Sequence, residues 1–300
     1  MAIQNSLQKS KGNQRLGITA YLTGDAVKNQ INQVVGGKNG QRFISAIVSA
    51  VNTNPTLQEC TNQSILSGAL LGESLKLSPS PQLGHYYLVP FNDKTKGKVA
   101  QFQMGYKGYI QLAIRSGQYK KINVIAVKEG ELEYFDPLNE EIKINMMIDK
   151  WDEREAAPTI GYYAMFELVN GFRKAIYWSK AQMEAHALKY SPGYKKDRRD
   201  GSNHTLWSKD FDGMAYKTML RQLISKWGIM SIDMQSAIDA DMAVINEDGS
   251  KDYVDNDDSI IDAEPPQSEE PQPEPRQEAE KKPETTQQPT DAQMALFGNK

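Results

Sequence analysis

The residues best suited to chemistry lie in a short segment that mixes aromatic rings with cations. Residues 105–108 (GYKG) match the G-x-x-G pattern that clamps nucleic-acid backbone in one RNA-binding fold. Aromatic rings stack on unpaired bases while lysines and arginines neutralise phosphates, so the segment is typical of single-strand binding. Burial of Tyr109 and some of its neighbours in the core is the alternative. The polar and aromatic residues concerned are Gln103, Tyr106, Lys107, Tyr109, Arg115, Tyr119, Lys120 and Lys121.

A second concentration of positive charge lies in residues 186–228, which hold nine Lys or Arg and four Asp. Lys217 and Arg221 are four positions apart, which places both on one helix face, away from the apolar stripe, where they can present charge to a groove. Trp207 fits either stacking on a base or closing the start of that helix. The other candidates lie in a predicted polar loop over 191–204, for which simple solvent exposure is the alternative. They are Lys195, Lys196, Arg198 and Arg199.

Patterns that would indicate catalysis are few. No G-x-x-x-x-G-K-[ST] phosphate-binding loop occurs, so we expect activity without ATP. Asp136 with Glu141 and Lys143 resembles the acidic pair and lysine of a metal-dependent nuclease, but the spacing is too short for the usual two-strand placement. A single cysteine, Cys60, and three histidines give no disulfide framework and no zinc pattern. We therefore predict a protein that is not an enzyme and has no resident cofactor. Magnesium dependence of DNA binding is left open, without an identifiable site.

The charge is divided unevenly along the chain. Residues 1–250 hold 30 Lys or Arg and 25 Asp or Glu, whereas residues 251–300 hold 5 and 13. A basic body fits a polyanionic partner, and an acidic end keeps the protein soluble or competes for the same surface. The sequence contains no run of about 18 apolar residues and does not begin with a secretory signal pattern, so we predict no membrane partner.

The order of the predicted elements indicates an α+β fold. Apolar periodicity predicts two opening helices, over 43–51 and 65–70, and a β-hairpin over 85–91 and 99–104. A helix over 109–114 and a capping box at Ser179 and Gln182 follow. Further strands are predicted over 122–128, 131–135, 142–146, 160–168 and 174–178, and a last helix over 206–227. We expect a flexible N-terminus (1–18), one domain (19–248) and a disordered, acidic, proline-rich tail (249–300).

Three separate motifs in a fixed order resemble the RecT family of phage and prophage single-strand annealing recombinases. They are residues 86–91 (YYLVPF), 101–117 (QFQMGYKGYIQLAIRSG) and 214–221 (MAYKTMLR). The resemblance covers about residues 20–235. It implies a Redβ-like annealing fold, in which helices flank a small curved antiparallel sheet and protomers assemble as rings or filaments. It also carries a DNA-binding role over to Gln103, Tyr106, Lys107, Arg115, Lys217 and Arg221.

The resemblance implies ATP-independent binding of single-stranded DNA and annealing of complementary strands in homologous recombination and DNA repair. It further implies that the protein holds the annealed duplex, works beside a partner exonuclease and acts in the cytoplasm of a bacterial host cell. Physical reasoning agrees, because annealing needs phosphate repulsion screened while the bases stay accessible, and many copies along one strand add affinity. A protein that protects single strands without annealing them, and a metal-dependent nuclease, remain alternatives.

The last residues form a second, independent pattern. Gln293, Met294, Leu296 and Phe297 resemble the Q-L-[SD]-L-F peptide by which bacterial replication and repair proteins bind the sliding clamp, although Ala295 departs from it. A site on a long tether would raise the local concentration of the annealing body at replication forks. The alternative is a short helix that folds on another partner, such as single-strand binding protein.

Overall fold

The computed structural model describes residues 17–93 and 95–252 of the 300-residue chain. Helices and small antiparallel sheets both contribute to it, which confirms the α+β prediction. Residues 1–16 of the predicted flexible start, residues 253–300 of the predicted tail and the peptide at 293–297 lie outside the described residues. Within the described ranges, no helix combines the length and the apolar character needed to cross a membrane.

The chain opens with helices that enclose part of the core. Along the third helix, Phe43, Ile47 and Val51 are buried at intervals of four residues, so one face points inward. Only Ile31 is buried on the second helix, which explains why apolar periodicity did not predict it. The elements are α1 (Ile18–Thr23), α2 (Asp25–Val35), α3 (Gly37–Thr53), a 3-10 helix (Pro55–Glu59) and α4 (Asn62–Ser74).

Within residues 17–93 and 95–252, nine strands form four small antiparallel sheets: β1–β2, β3–β6–β7, β4–β5 and β8–β9. The first seven correspond to the predicted strands. A helix lies between β2 and β3 in the chain, and these two strands belong to different sheets. The strands are β1 (Tyr86–Asp93), β2 (Gly97–Met104), β3 (Tyr119–Lys128), β4 (Leu132–Asp136), β5 (Glu141–Ile144), β6 (Thr159–Leu168), β7 (Arg173–Ser179), β8 (Val244–Ile245) and β9 (Lys251–Asp252).

Seven more helices follow in the part of the chain that the structure describes. The capping box is confirmed: the Ser179 hydroxyl accepts from the Gln182 amide at 3.2 Å, and the Gln182 side chain accepts from the Ser179 amide at 2.9 Å. The predicted helix over 206–227 is divided at Asp210, whose carboxylate accepts from the Gly213 amide at 2.9 Å. The helices are α5 (Tyr106–Arg115), α6 (Trp151–Ala156), α7 (Lys180–Tyr190), α8 (Pro192–Asp200), α9 (Leu206–Lys209), α10 (Phe211–Trp227) and α11 (Ile232–Ala240).

The prediction of a loop over 191–204 is wrong for residues 192–200, which form α8. The Ser191 hydroxyl accepts from the Tyr194 amide at 3.3 Å, Pro192 occupies the first helical turn, and Gly201 ends the helix in the left-handed conformation. Proline at the start and glycine just past the end are the usual helix boundaries. These signals were present in the sequence, but the helix has almost no apolar stripe to accompany them.

Helix α10 holds the candidate site together. It packs against α5 on one side and against β3, β6 and β7 on the other. Helix α4 packs against the β1–β2 hairpin, where Tyr86 and Phe102 stack with ring centroids 4.9 Å apart. Each fully buried side chain of this size contributes about 1.5–3 kcal/mol relative to exposure. The β1–β2 hairpin and the β3–β6–β7 sheet are therefore joined through α5 and α10. These helices carry parts of two of the three RecT-like segments (86–91, 101–117 and 214–221), which we call the family-like motifs.

Candidate nucleic-acid interface

One face of α5 carries the first group of candidate residues. Lys107, Gln111, Ile114 and Arg115 are exposed, at a spacing of four, seven and eight residues that places them on one side of the helix. We call these four residues the α5 stripe. The opposite face contributes Tyr109, Leu112 and Ala113 to the core. The motif therefore divides into a buried half and an exposed half with a cation at each end.

Arg115 also joins α5 to the end of α4. Its guanidinium donates to the carbonyl oxygens of Leu75 and Lys76, the latter at 3.2 Å. These bonds satisfy carbonyls that the end of α4 leaves open, and they bring the exposed Lys76 beside the stripe. Among the ion pairs of the described residues, none involves Lys107 or Arg115. Their positive charge remains available to an anion.

His85 reports the electrostatic field of this face. Partial burial, followed by the nearby charges of Arg115 and Lys107, lowers the pKa of the imidazole below its ordinary value. Its Nδ1 accepts from the Ser78 amide at 3.3 Å, which suits the neutral ring. Burial is the larger cause of the lowered pKa, and the contribution of the two cations places positive charge close to the ring.

The G-x-x-G pattern has a packing explanation. A Cβ atom on Gly105 would lie 2.1 Å from the carbonyl oxygen of Gly84, and one on Gly108 would lie 2.1 Å from that of His85. The Gly105 amide donates to the His85 carbonyl at 2.9 Å. Both glycines are needed because the start of α5 lies directly against the chain entering β1. The pattern is accounted for without a phosphate clamp.

Gln103 and Tyr106 lie at the junction of β2 and α5, and both are half-buried. The Gln103 Nε2 donates to the Gln101 Oε1 at 2.7 Å. The Tyr106 ring contacts Tyr216 of α10 edge-on, with centroids 5.5 Å apart, and the Lys107 ammonium lies 6.0 Å from the Tyr106 centroid. One face of the Tyr106 ring is thus fixed by α10, beside an exposed cation.

The expectation that Lys217 presents its charge at the surface is wrong. Lys217 is only 6% exposed, and its Nζ donates to the Asp241 carboxylate at 2.8 Å. The same carboxylate accepts from the Tyr109 hydroxyl at 3.0 Å and the Met104 amide at 2.9 Å. A buried carboxylate needs several donors, and Asp241 takes them from β2, α5 and α10. Lys217 thus holds two family-like motifs together within the core.

Arg221 has an intermediate position. Its side chain is 38% exposed, and one guanidinium nitrogen lies 3.6 Å from the Asp241 carboxylate. Together with Lys189, Arg221 contributes to lowering the pKa of His186 on α7, where burial is the larger cause. Arg221 thus keeps part of its guanidinium at the surface while Lys217, one turn earlier, does not.

The basic residues of α8 are partly neutralised by acidic neighbours. Arg198 pairs with Glu184 at 3.2 Å and Arg199 with Asp200 at 2.8 Å. Lys195 is exposed and Lys196 half-buried. Helix α8 therefore offers a weaker positive surface than the count of its cations suggests.

A buried carboxylate fixes the turn that follows α8. Asp197 accepts from the hydroxyls of Ser202, Thr205 and Ser208 at 2.6–2.8 Å. Burial alone would raise the pKa of Asp197, but the hydrogen bonds from Ser208, Ser202 and Thr205 outweigh it and hold the pKa far below its ordinary value. This network holds α8 at one position relative to α9.

Trp207 belongs to a row of rings inside the molecule. It is 7% exposed and contacts Phe211 edge-on at 5.2 Å and Tyr194 at 6.1 Å between centroids. Of the two alternatives, the structure therefore shows closure of the helix start and leaves no open face for a base. The row runs from α8 to the start of α5 through Tyr194, Phe211, Tyr162, Tyr216 and Tyr106.

The residues of the nuclease alternative lie on the β4–β5 hairpin. Asp136 pairs with Glu141 across the turn, and its carboxylate accepts from the Leu138 amide at 2.8 Å and the Asn139 side chain at 2.6 Å. These bonds lower the pKa of Asp136. Its role in the structure is to shape a turn. Over residues 17–93 and 95–252, no three His, Cys, Asp or Glu side chains are grouped so as to hold a metal ion.

The sequence did not predict a role for Asp241, whose carboxylate accepts hydrogen bonds from two of the family-like motifs, or for Lys76, which extends the basic face. Neither has a local signal, because Asp241 is more than a hundred positions from Met104 and Lys76 follows a helix end. Arg115 and Lys107 were found from composition and are brought to one face. Lys217 was found for its charge, but its position is buried.

Comparison with known proteins supports the motif-based interpretation. Residues 41–259 match the model of the RecT family. The chain is 40% identical over 279 residues to the uncharacterized protein YqaK of Bacillus subtilis (strain 168), covering 90% of this chain and 89% of that protein. It is 28% identical over 246 residues to protein RecT of Escherichia coli (strain K12), covering 78% of this chain and 86% of that protein. The resemblance of the motifs is thereby confirmed, and the chain belongs to the RecT family of recombination proteins.

Proposed function

We propose that this protein binds single-stranded DNA along the α5 stripe and anneals complementary strands without ATP. The observation that carries the proposal is the pair of exposed cations on α5, Lys107 and Arg115, without acidic partners in the described residues. The exposed Lys76 extends the same positive surface, and Arg115 and Lys107 contribute, after burial, to lowering the pKa of His85. The similarity to protein RecT supports the assignment of DNA as the polyanion.

The mechanism follows from where the charge lies. Lys107 and Arg115 lie at opposite ends of a ten-residue helix, about 12 Å apart along its axis at 1.5 Å per residue. Cations at this separation contact the phosphates of one strand and leave its bases free to meet a complement. Screening of phosphate charge then lets a second backbone approach. Each neutralised phosphate makes binding weaker at higher salt.

Assembly supplies the remaining affinity. Two cations per protomer give modest binding, so many copies along one strand are needed for a stable complex, in a ring or a filament. In this proposal α8 provides the second, weaker positive surface through Lys195 and Lys196, and Arg221 contributes its exposed part. Binding extends to the annealed duplex, and the protein works in the bacterial cytoplasm beside an exonuclease that exposes single strands.

The decisive experiment mixes the full-length protein with complementary oligonucleotides and follows duplex formation by fluorescence. Reactions run without ATP, with and without magnesium, and at several salt concentrations. Accelerated pairing supports annealing. Blocked pairing indicates a protein that only protects single strands, and shortened strands indicate a nuclease. Lys107→Glu on the stripe should abolish the acceleration, whereas Lys38→Glu on α3, a matched charge reversal outside it, should keep it.

The C-terminal peptide is a separate proposal. We propose that Gln293, Met294, Leu296 and Phe297 bind the bacterial sliding clamp, with single-strand binding protein as the other candidate partner. A peptide spanning residues 288–300 should bind the purified clamp, and the Leu296→Ala, Phe297→Ala peptide should not. Equal binding by both peptides, or none by the first, removes the clamp as a partner.

A further inference from the structure

A cleft of about 100 Å³ opens beside the start of α5, between the end of α3 and the start of α10. Its walls are mostly apolar, and two tyrosines, Tyr87 and Tyr106, contribute rings to it. It lies at the point where the first and last family-like motifs meet. Its lining includes Ala50, Asn54, Tyr87, Tyr106 and Asp210.

The cleft contains an unsatisfied hydrogen-bond donor. Asn54 is only 7% exposed, and its Oδ1 accepts from the Thr56 hydroxyl at 2.6 Å, but its Nδ2 has no partner. Buried polar groups are nearly always hydrogen-bonded, and an orphaned donor costs free energy. The unpaired donor lies in the wall of an otherwise apolar recess with almost none of its surface accessible, so the acceptor of a ligand pairs with it when the Asn54 amide turns toward the cleft.

The charges around the cleft favour a neutral group inside it and an anionic group outside. The Asp210 carboxylate contributes, after burial, to raising the pKa of Tyr87 and of Tyr106, so it lies near both hydroxyls and disfavours an anion inside. Outside, the methylenes of Lys107 and the Tyr87 hydroxyl lie over Gly84, 3.4 and 3.0 Å from where its Cβ would be. The ammonium of Lys107 is thus close to the cleft. The arrangement suits a neutral flat group inside and a phosphate outside.

We propose that this cleft holds one nucleobase of the bound single strand in each protomer, an inference that rests on the proposed function. The cleft, of about 100 Å³, is smaller than the closed cavity of about 150 Å³ that accommodates a benzene ring, so it takes one edge of a base and leaves the rest of the ring outside. The Asn54 Nδ2 donates to a base carbonyl or ring nitrogen, Tyr87 and Tyr106 contact its ring, and Lys107 holds the adjoining phosphate. Every base carries such an acceptor, so the capture is not sequence-specific.

The capture has a consequence for annealing. A base inside the cleft is unstacked and unpaired, so only single-stranded DNA can use the cleft. Pairing with a complement withdraws the base, and the protomer then keeps only its phosphate contacts. The cleft therefore sets the position of the strand before pairing and distinguishes the single strand from the annealed duplex.

The test compares the binding of a short oligothymidine with that of an abasic strand of equal length, which has the same phosphates and no bases. Wild-type protein should prefer the oligothymidine by about tenfold, the effect expected for contacts to one base. Ala50→Leu fills the cleft and Asn54→Asp removes the donor while keeping an acceptor for Thr56. Each should reduce the preference to about threefold or less.

Matched controls lie on α3, outside the cleft. Ala46→Leu makes the same change in size, and Asn52→Asp makes the same change in charge; both should keep the wild-type preference. Thermal unfolding confirms that each variant is folded. If Ala50→Leu does not fold, the binding preference of Asn54→Asp alone decides the test. An unchanged preference in the folded cleft variants, or equal weakening for both strands, overturns the cleft assignment and leaves the proposed function intact. Failure of the wild type to bind either strand overturns both.

Discussion

Helices α5 and α10 each carry two cations from a family-like motif, yet the two helices use them differently. On α5, Lys107 and Arg115 are exposed and have no acidic partner in the described residues. On α10, Lys217 is buried against Asp241 and Arg221 lies 3.6 Å from the same carboxylate. The difference shows that helical spacing decides which residues share a face, whereas a distant partner decides whether that face meets solvent or the core.

The difference also separates two kinds of contribution. Removing an exposed cation changes what the surface attracts and leaves the fold unchanged. Removing one member of a buried pair leaves an uncompensated charge in a low-dielectric interior, which is expensive. Variants of α10 should therefore report on stability first, and variants of α5 on DNA affinity.

The largest expected effect is that of Lys217→Ala, which should lower the free energy of unfolding by about 3–5 kcal/mol because Asp241 stays buried without its main partner. For a domain of this size the melting temperature should fall by roughly 10 °C. Thermal and urea unfolding measure the change. Lys226→Ala, an exposed cation on the same helix, is the control and should be within about 0.5 kcal/mol of wild type. A stable Lys217→Ala variant that has lost DNA binding would show that Lys217 contributes to DNA binding, as Lys107 of α5 is expected to, and not to stability.

Lys107→Ala should leave stability unchanged and weaken binding to single-stranded DNA by about five- to tenfold at ~0.1 M salt. The slope of log affinity against log salt should become shallower by about one unit, because one phosphate contact is lost. Fluorescence anisotropy over a salt series measures both. Lys38→Ala on α3 is the matched control. An unchanged slope for Lys107→Ala would remove α5 from the DNA-binding surface.

The arginines of α8 should matter less. Arg198→Ala with Arg199→Ala should reduce affinity by about two- to threefold, because Glu184 and Asp200 already neutralise much of their charge. Glu184→Gln sharpens the comparison, since freeing Arg198 should raise affinity slightly. If the double variant weakens binding more than Lys107→Ala does, α8 contributes more to DNA affinity than the α5 stripe, contrary to this prediction.

The smallest expected effect concerns pH. Burial and the nearby cations hold the His85 pKa below its ordinary value, so the ring is neutral in the free protein. A phosphate on the stripe favours the charged ring and raises that pKa, which links DNA binding to proton uptake. Affinity should rise by up to about threefold as the pH falls through the region near and below 6.5. His85→Gln should remove this part of the pH dependence. A wild-type profile identical to that of His85→Gln would place the phosphate elsewhere.

The same His85 shift has the opposite effect on folding. Because the folded-state pKa is lowered, the unfolded chain binds the proton more readily, and the stability contributed by the neutral ring is present above the ordinary pKa and lost as the pH falls below it. Acid should therefore destabilise the free protein while strengthening its contact with DNA.

Local signals in the sequence determined much of the fold. Alternating apolar residues located β1 to β7, the Ser179 capping box located α7, and the 3.6-residue periodicity located α3, α4, α5 and α10. These elements are predictable because each depends on residues within a few positions of one another. Helix α8 was missed although Pro192 and Gly201 mark its ends, because a charged interior gave no apolar stripe.

The sequence also determined the family, the basic body and the shared helix face of Lys107 and Arg115, since motif order, composition and spacing are properties of the chain itself. Only the tertiary structure decided that Lys217 is buried, that Trp207 closes a helix start, and that Asn54, with an unpaired buried donor, lines the same cleft as Tyr106. Each of these depends on a partner distant in sequence or on the shape of a shared space. Desolvation and pairing are set by what surrounds a side chain, and long-range packing alone supplies those surroundings.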